Sequence, residues 1–386
     1  MHRHSLLIVG AFPEPGGAHH VQGGMRQSCE LLLRSSLPRR VDLHTLDSTQ
    51  ISVPPPGLAR RLGLAARRCV RFVRQFERIR PHFVLVFASG GASFVEKSTM
   101  LLYARCRGAS TLMFLRHGAF IDHCRESRVY RFFVKLMLGG VSVHLCQSAT
   151  WRNFFVTELG LPERYCRIVE NWTVTDQLLA AGRTRTYSIR RPIRFLFVGW
   201  LEYAKGIRDL IAAFRELQSI QGLPATQLVF AGAGSLESYC QECAREPALT
   251  GRIEVAGWVT GTAKDRLLAD ADVFVLPSHA EGLSNAMLEA MAAGLPVIVT
   301  RVGSLPDVVA HDVTGLLMNP GDVGQLTVLM CMLATDTNRH ERLGRAANAR
   351  AAAFTPERAA NELVEIMDDV RSLCSRCSSI RTPPET

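Results

Sequence analysis

The chain of 386 residues contains no apolar run approaching the roughly 20 residues that a bilayer-spanning helix needs, so it does not read as an integral membrane protein. It has no cysteine framework: eleven cysteines are scattered without regular spacing, which points to reduced thiols in a cytosol. No export signal is legible, because the apolar stretch Leu6-Leu7-Ile8-Val9 behind Arg3 is too short for a signal-peptide core and runs into Pro13 and Pro15; it reads as the first buried strand of a sheet. No internal repeat appears beyond a general alternation of apolar and helix-length segments. Acid is scarce in the first half, where residues 1–190 carry 27 Lys+Arg against 12 Asp+Glu, while residues 191–386 carry 18 against 23. Nucleic acid is one partner for a basic half. Here, however, the arginines between Leu58 and Arg80 interleave with apolar residues at helical spacing, the pattern of a helix lying on anionic lipid or of a sheet-packing helix with a solvated basic face. The two are not exclusive, and no nucleic-acid partner is expected.

What is present in quantity is apolar material, 47% of the residues, in a chain longer than one core usually needs, which predicts two domains. Strand-like runs alternate with helix-length segments, as a parallel sheet covered by helices requires. The strands are expected at 5–11, 41–46, 83–87, 109–116, 141–146 and 165–169, then at 193–198, 227–231, 253–256, 273–276, 296–300 and 315–318. The arginine-rich stretch 183–191 reads as a linker, dividing a first domain, 1–182, from a second, 192–355. A helical pattern follows at 356–373, and the Ser-, Arg- and Pro-rich end, 374–386, reads as a frayed tail.

The densest chemistry lies in Glu281-Gly282-Leu283-Ser284-Asn285-Ala286-Met287-Leu288-Glu289, between the apolar runs at 273–276 and 296–300. Its first part is a loop that turns directly into a helix. Such a helix start presents unpaired N–H groups and a positive dipole end, which suits a phosphate. Glu289, eight steps on, falls about 80° from Glu281 around the helix, where a carboxylate can accept from a pair of sugar hydroxyls.

With its flanks, Leu267 to Ser278 before it and Ala290 to Thr300 after it, this segment resembles the donor-binding motif of GT-B glycosyltransferases, in particular the large retaining family 4 with its two glutamates separated by seven residues. The resemblance implies an α/β fold of two Rossmann-like, doubly wound domains facing each other across a cleft, the terminal helix crossing back to complete the first. It implies transfer of a hexose-type sugar from a nucleotide diphosphate sugar to a saccharide acceptor, lipid-linked, in bacterial surface polysaccharide biosynthesis; the basic first half and the run Leu58–Arg80 add the expectation of a cytoplasmic protein attached reversibly to the anionic inner face of the cytoplasmic membrane. The leaving diphosphate is thought to deprotonate the acceptor, so no metal or cofactor is implied.

Residue by residue, the resemblance makes Lys205 the cation facing the diphosphate, with Gly206 behind it. Glu281 and His117, which stands at the end of an apolar strand, meet the transferred sugar, and Glu289 takes the ribose. Gly199, Gly232, Gly234, Gly282, Leu283, Ser284 and Asn285 line the donor. Gly24, ahead of a helical run, matches the first-loop glycine better than the Gly16-Gly17 pair. Trp200 stands where the family usually has an arginine, Asp307 where glutamate is commoner, and Glu170-Asn171-Trp172 where Pro-Asn-Gly is frequent.

Other patterns are weaker. Asp270-Ala271-Asp272 spells a metal signature of a different fold but leads into a strand, where aspartates flank secondary structure. Cys240/Cys243 and Cys374/Cys377 have zinc-knuckle spacing but lie in helical patterns. Gly232-Ala233-Gly234 lacks the third glycine of a dinucleotide fingerprint, Glu237 taking its place. Two rival functions stay open, a non-hydrolysing nucleotide-sugar epimerase and a non-catalytic sugar- or nucleic-acid-binding protein.

Overall fold

A computed structural model describes residues 3–12, 23–49, 57–187 and 192–379. Among these described residues, twelve strands coincide with the twelve expected runs. In the first domain they are β1 (Ser5–Gly10), β2 (Asp42–Asp47), β3 (Phe83–Ala88), β4 (Ser110–Leu115), β5 (Val143–Cys146) and β6 (Cys166–Ile168). In the second they are β7 (Ile193–Val198), β8 (Thr226–Ala231), β9 (Ile253–Gly257), β10 (Val273–Leu276), β11 (Val297–Thr300) and β12 (Leu316–Met318). They form two six-stranded sheets, in the orders β2-β1-β3-β4-β5-β6 and β12-β11-β10-β7-β8-β9, and every neighbouring pair is parallel.

The first sheet shows why these sequences make strands. All six residues of β3 are buried. Val84, Val86 and Ala88 enter one apolar cluster with Phe72 and Phe76 of the helix Leu58–Ile79, whereas Phe83, Leu85 and Phe87 enter the opposite one with Leu363, Ile366 and Met367 of the helix Pro356–Ser379. The two-residue period of a strand sends alternate side chains to opposite faces, so a sheet covered on both sides needs an unbroken apolar run.

The second sheet has the order 3-2-1-4-5-6 when its strands are counted from β7, and the order reverses between β7 and β10. Loops leaving the carboxyl ends of those two strands diverge to opposite faces and open a crevice, the usual ligand position in such sheets. In the first sheet the corresponding reversal lies between β1 and β3.

The division of the chain differs from the expected one. One compact unit comprises residues 1–172 and 356–386, the other 173–355. The helix Asp176–Arg183, expected in the first domain, buries Leu178 and Leu179 in the core of the second. The expected linker is tied to that core as well. Arg185 donates to the main-chain oxygens of Leu268, Ala271 and Ala293, and the Tyr187 hydroxyl donates to that of Gly294 at 2.9 Å. Residues 188–191 of that stretch, the Gly16-Gly17 pair and the end of the tail, 380–386, lie outside the described residues. The terminal helix continues to Ser379, beyond the expected end at 373.

Trp172 closes the first domain. Fully buried, it stacks on Phe114 with ring centroids 5.4 Å apart, meets Phe87 edge-on at 6.0 Å, and donates its indole N–H to the Ser28 main-chain oxygen at 2.8 Å. Trp172→Ala should therefore cost about 3–5 kcal/mol by the loss of a buried aromatic. Trp172→Phe should cost about 1 kcal/mol beyond the smaller packing loss, for the indole hydrogen bond to the Ser28 oxygen. Urea denaturation followed by far-ultraviolet circular dichroism checks both, and equal midpoints for Trp172→Ala and the native protein would refute this role.

Candidate active site

The crevice between β7 and β10 is built by backbone contacts that leave no room for a Cβ. After β7, a Cβ added at Gly232 would lie 1.8 Å from the Gly199 oxygen, so the loops following β7 and β8 touch main chain to main chain. Leu201 N–H donates to the Ala233 oxygen at 2.9 Å, and the Glu202 carboxylate accepts from Ser235 N–H and Oγ at 3.0 and 2.5 Å. The chain then makes the short turn Tyr203–Lys205 and reaches Gly206, at φ +69°, whose added Cβ would lie 2.0 Å from the Pro277 oxygen. Positive φ and that contact both demand glycine. His279 N–H donates to the Ala204 oxygen at 2.9 Å, fastening the loop after β10 to the same turn.

Held in this way, Lys205 Nζ lies 2.5 Å from Glu281 Oε1, and Ser278 Oγ donates to the same oxygen at 3.3 Å. Both charged side chains are partly exposed, 23% for Lys205 and 11% for Glu281, so the pair is reachable by a ligand. Gly303, at φ +53°, closes the far side, since a Cβ there would meet the Glu281 oxygen at 1.8 Å. Ser304 N–H donates to the Gly282 oxygen at 2.8 Å. Beyond Gly282 and the buried Leu283, Ser284 caps the helix Asn285–Ala292 by accepting from Met287 N–H at 3.3 Å. The helix N-terminus therefore opens beside the ion pair, with the electropositive end that the sequence suggested.

Glu289 lies deeper. Its carboxylate, 3% exposed, accepts from Lys264 Nζ at 2.8 Å and Thr173 Oγ1 at 2.7 Å. A carboxylate has about four lone-pair positions, and any hydroxyl it takes shares it with an ammonium. Neither Lys264 nor Thr173 was evident in the sequence. The one signal that could have found Lys264 is scarcity: the chain has only four lysines, Lys97, Lys135, Lys205 and Lys264, and in the structure two of them pair with the two motif glutamates.

The arginine missing at Trp200 is replaced by an aromatic contact. Trp200 lies against Trp258 with centroids 4.6 Å apart and planes at 44°, both rings partly exposed. His279 is stacked on Tyr203 at 5.7 Å and pairs with Asp209 at 2.8 Å.

Lys205, Glu281, Gly282, Ser284, Asn285, Gly199, Gly232 and Gly234 thus belong to one rim of the second domain. Gly24 and His117 belong to the first, each described there. Gly24 begins the helix Gly24–Arg34 behind an extended Gly23. His117 follows β4, and a Cβ at Gly90, after β3, would lie 3.3 Å from its Nδ1. The preceding Arg116 is enclosed near Phe114 and Trp172, and burial lowers its pKa to about 10, which still leaves it charged at neutral pH.

The weaker patterns are accounted for by packing. Asp272 accepts from Arg194 N–H at 2.7 Å at the start of β7. Cys240 and Cys243 are buried in the helix Glu237–Ala244, and burial pushes the Cys240 thiol up to about 12. The side chains of Cys374 and Cys377 lie outside the described residues.

Residues 192–336 match the family described as glycosyl transferases group 1. The match lies within the second domain. A glycogen synthase of Mycobacterium tuberculosis is 36% identical over 239 residues, 61% of this chain and 55% of that protein. A lipopolysaccharide core biosynthesis glycosyltransferase of Rhizobium meliloti is 28% identical over 188 residues, 49% of this chain and 53% of that protein. The chain thus spans about half the length of these curated relatives. Among solved structures, sucrose-phosphate synthase from Thermosynechococcus elongatus superimposes with a TM-score of 0.73 at 18% identity, covering 96% of this chain and all of that one. Anabaena HepE, solved with UDP and glucose, gives 0.69 at 17%, covering 95% of this chain and all of that one. These likenesses establish the GT-B fold, two α/β domains each with a six-stranded parallel sheet.

The buried pair generates a test. Lys264→Met breaks the buried ion pair with Glu289 and should cost about 3–5 kcal/mol. Adding Glu289→Met should restore all but about 1 kcal/mol, the Thr173 hydroxyl having lost its acceptor. Nucleotide affinity should stay low in the double variant, by about 1.5–3 kcal/mol if Glu289 also holds ligand hydroxyls. Denaturation and titration calorimetry separate the two roles, and full nucleotide affinity in the folded double variant removes Glu289 from the ligand.

Proposed function

We propose that the protein is a retaining glycosyltransferase, moving a hexose-type sugar from a nucleotide diphosphate sugar to a saccharide acceptor that is carried on a lipid at an anionic membrane. The observation that carries the donor half of this reading is the Lys205–Glu281 pair in the crevice between β7 and β10, beside the start of the helix Asn285–Ala292. A diphosphate arriving there takes Lys205 from Glu281, gaining a compact cation and the helix N-terminus. The freed Glu281 carboxylate accepts from hydroxyls of the hexose, while Glu289 accepts from the ribose. UDP-glucose is the first donor to try, because HepE was solved with UDP and glucose.

In the reaction the bond from the anomeric carbon to the diphosphate oxygen breaks and a bond from the same face to the acceptor oxygen forms. The acceptor's proton passes to the leaving diphosphate. No protein nucleophile or metal is needed in this scheme. The residues contribute electrostatically, Lys205 opposing charge that grows on the diphosphate as the bond lengthens.

Lys205→Ala should therefore lower kcat by about 10²-fold while changing KM for the donor much less. Steady-state kinetics with a panel of nucleotide-sugars, first ranked by thermal shift, measures this. Near-normal turnover would remove Lys205 from the chemistry. Conversion of the donor to an epimer without any acceptor would replace the transferase reading by the epimerase one.

A further inference from the structure

The sequence pointed to the helix Leu58–Ile79 as the basic element of the first domain. It carries seven arginines against a single acid, Glu77. Its apolar stripe is not free: Phe72 and Phe76 are core residues. What the sequence did not single out is the helix Arg128–Leu138. It buries Val134 and Leu138 and packs Tyr130, Phe133 and Met137 against the core. Its other side leaves Val129 80%, Phe132 70% and Leu136 63% exposed. These three recur at i, i+3 and i+7 and so form one stripe about 10 Å long. Arg128, Arg131 and Lys135 run along one side of the stripe and, with Phe132, line a shallow recess. The acid at that recess, Glu158, is held by Arg125 at 2.6 Å, which lowers its pKa below the usual carboxylate range.

Two further helices of the first domain also expose apolar residues. Arg105 of the helix Ala92–Cys106 donates to the Gly140 oxygen just past Leu138, and Val95 and Leu102 on that helix are exposed. Arg68 pins the helix Leu58–Ile79 to the same element by two bonds to Glu96, at 2.6 and 2.8 Å, leaving Leu62 and Val70 exposed among arginines. Scattered exposed apolar residues need no explanation, but an aligned set flanked by cations marks an interaction surface.

We propose that this face of the first domain docks on an anionic bilayer, with Val129, Phe132 and Leu136 entering the acyl boundary and Arg128, Arg131 and Lys135 taking lipid phosphates. Apolar burial and attraction to anionic lipid are the two contributions that hold an amphipathic helix in the interfacial plane. The inference rests on the reading above that the acceptor is carried in a membrane. It adds the surface that meets it and makes the helix Arg128–Leu138, rather than the arginine-rich helix alone, the inserting element.

The test is co-sedimentation of the full chain with vesicles of phosphatidylcholine and phosphatidylglycerol in equal parts, and with phosphatidylcholine alone, at low and high salt. The native protein should bind the anionic vesicles, and less at high salt. Phe132→Ser should lower the partition coefficient about tenfold and the triple variant Val129→Ser, Phe132→Ser, Leu136→Ser about a hundredfold. Because these side chains are exposed, melting temperatures should stay near native, and Phe132→Ser alone decides the matter if the triple variant folds poorly. Nucleotide binding by the same variants, measured without vesicles, should be unchanged; its absence in the native protein would instead overturn the donor reading. Equal binding to both vesicle types, none to either, or native-like binding by the variants would overturn the docking. So would a dimer in solution that the triple variant abolishes, which would give the stripe to a second copy of the chain.

Discussion

The rim of the second domain depends on main-chain contacts too close for any Cβ: Gly232 on the Gly199 oxygen, Gly206 on the Pro277 oxygen and Gly303 on the Glu281 oxygen. A side chain at any of them would drive apart loops that leave β7, β8, β10 and β11. Those loops carry Lys205 and Glu281, and a shift of an ångström is enough to disorganise a catalytic arrangement. The glycines therefore act on charge placement indirectly, by fixing the distance between backbones, and the parallel sheet beneath supplies rigid ends from which the loops depart.

The inner strands such as β3, β10 and β11 were legible because strands covered on both faces have no polar period to obscure them. The boundary between domains was not. Residues 183–187 look like a linker because they are polar and arginine-rich, yet Arg185 and Tyr187 bind main-chain oxygens of the second core. A side chain bonded to a distant carbonyl leaves no pattern in the sequence. The same limit applied to the candidate site. The glutamate spacing is local and could be read, but the nearness of Lys205 to Glu281 follows from β7 lying beside β10, and Lys264 and Thr173 reach Glu289 from segments 25 and 116 positions away. Helical spacing likewise foretold an amphipathic element in the first domain without telling which of its helices would keep an apolar stripe in the open.

The distribution of cations carries a physical distinction. Arginine serves nearly everywhere on this chain, and its planar fork suits bidentate pairs such as Arg68 with Glu96 or Arg107 with Glu77. Lysine is reserved for four positions, and at two of them a single ammonium meets a motif carboxylate. A point charge on a flexible stem can change partners with little geometric demand, which suits the proposed exchange of Lys205 between Glu281 and a diphosphate.

The four tryptophans divide evenly, and their surroundings make them reporters. Trp151 and Trp172 are fully enclosed in the first domain, whereas Trp200 and Trp258 form a half-exposed pair on the rim of the second. Indole emission shifts to longer wavelength in contact with water, so the native spectrum should contain a blue component from one domain and a red one from the other. Unfolding of the two domains can then be followed separately in one unlabelled sample. Quenching confined to the red component would time the arrival of a ligand at the rim.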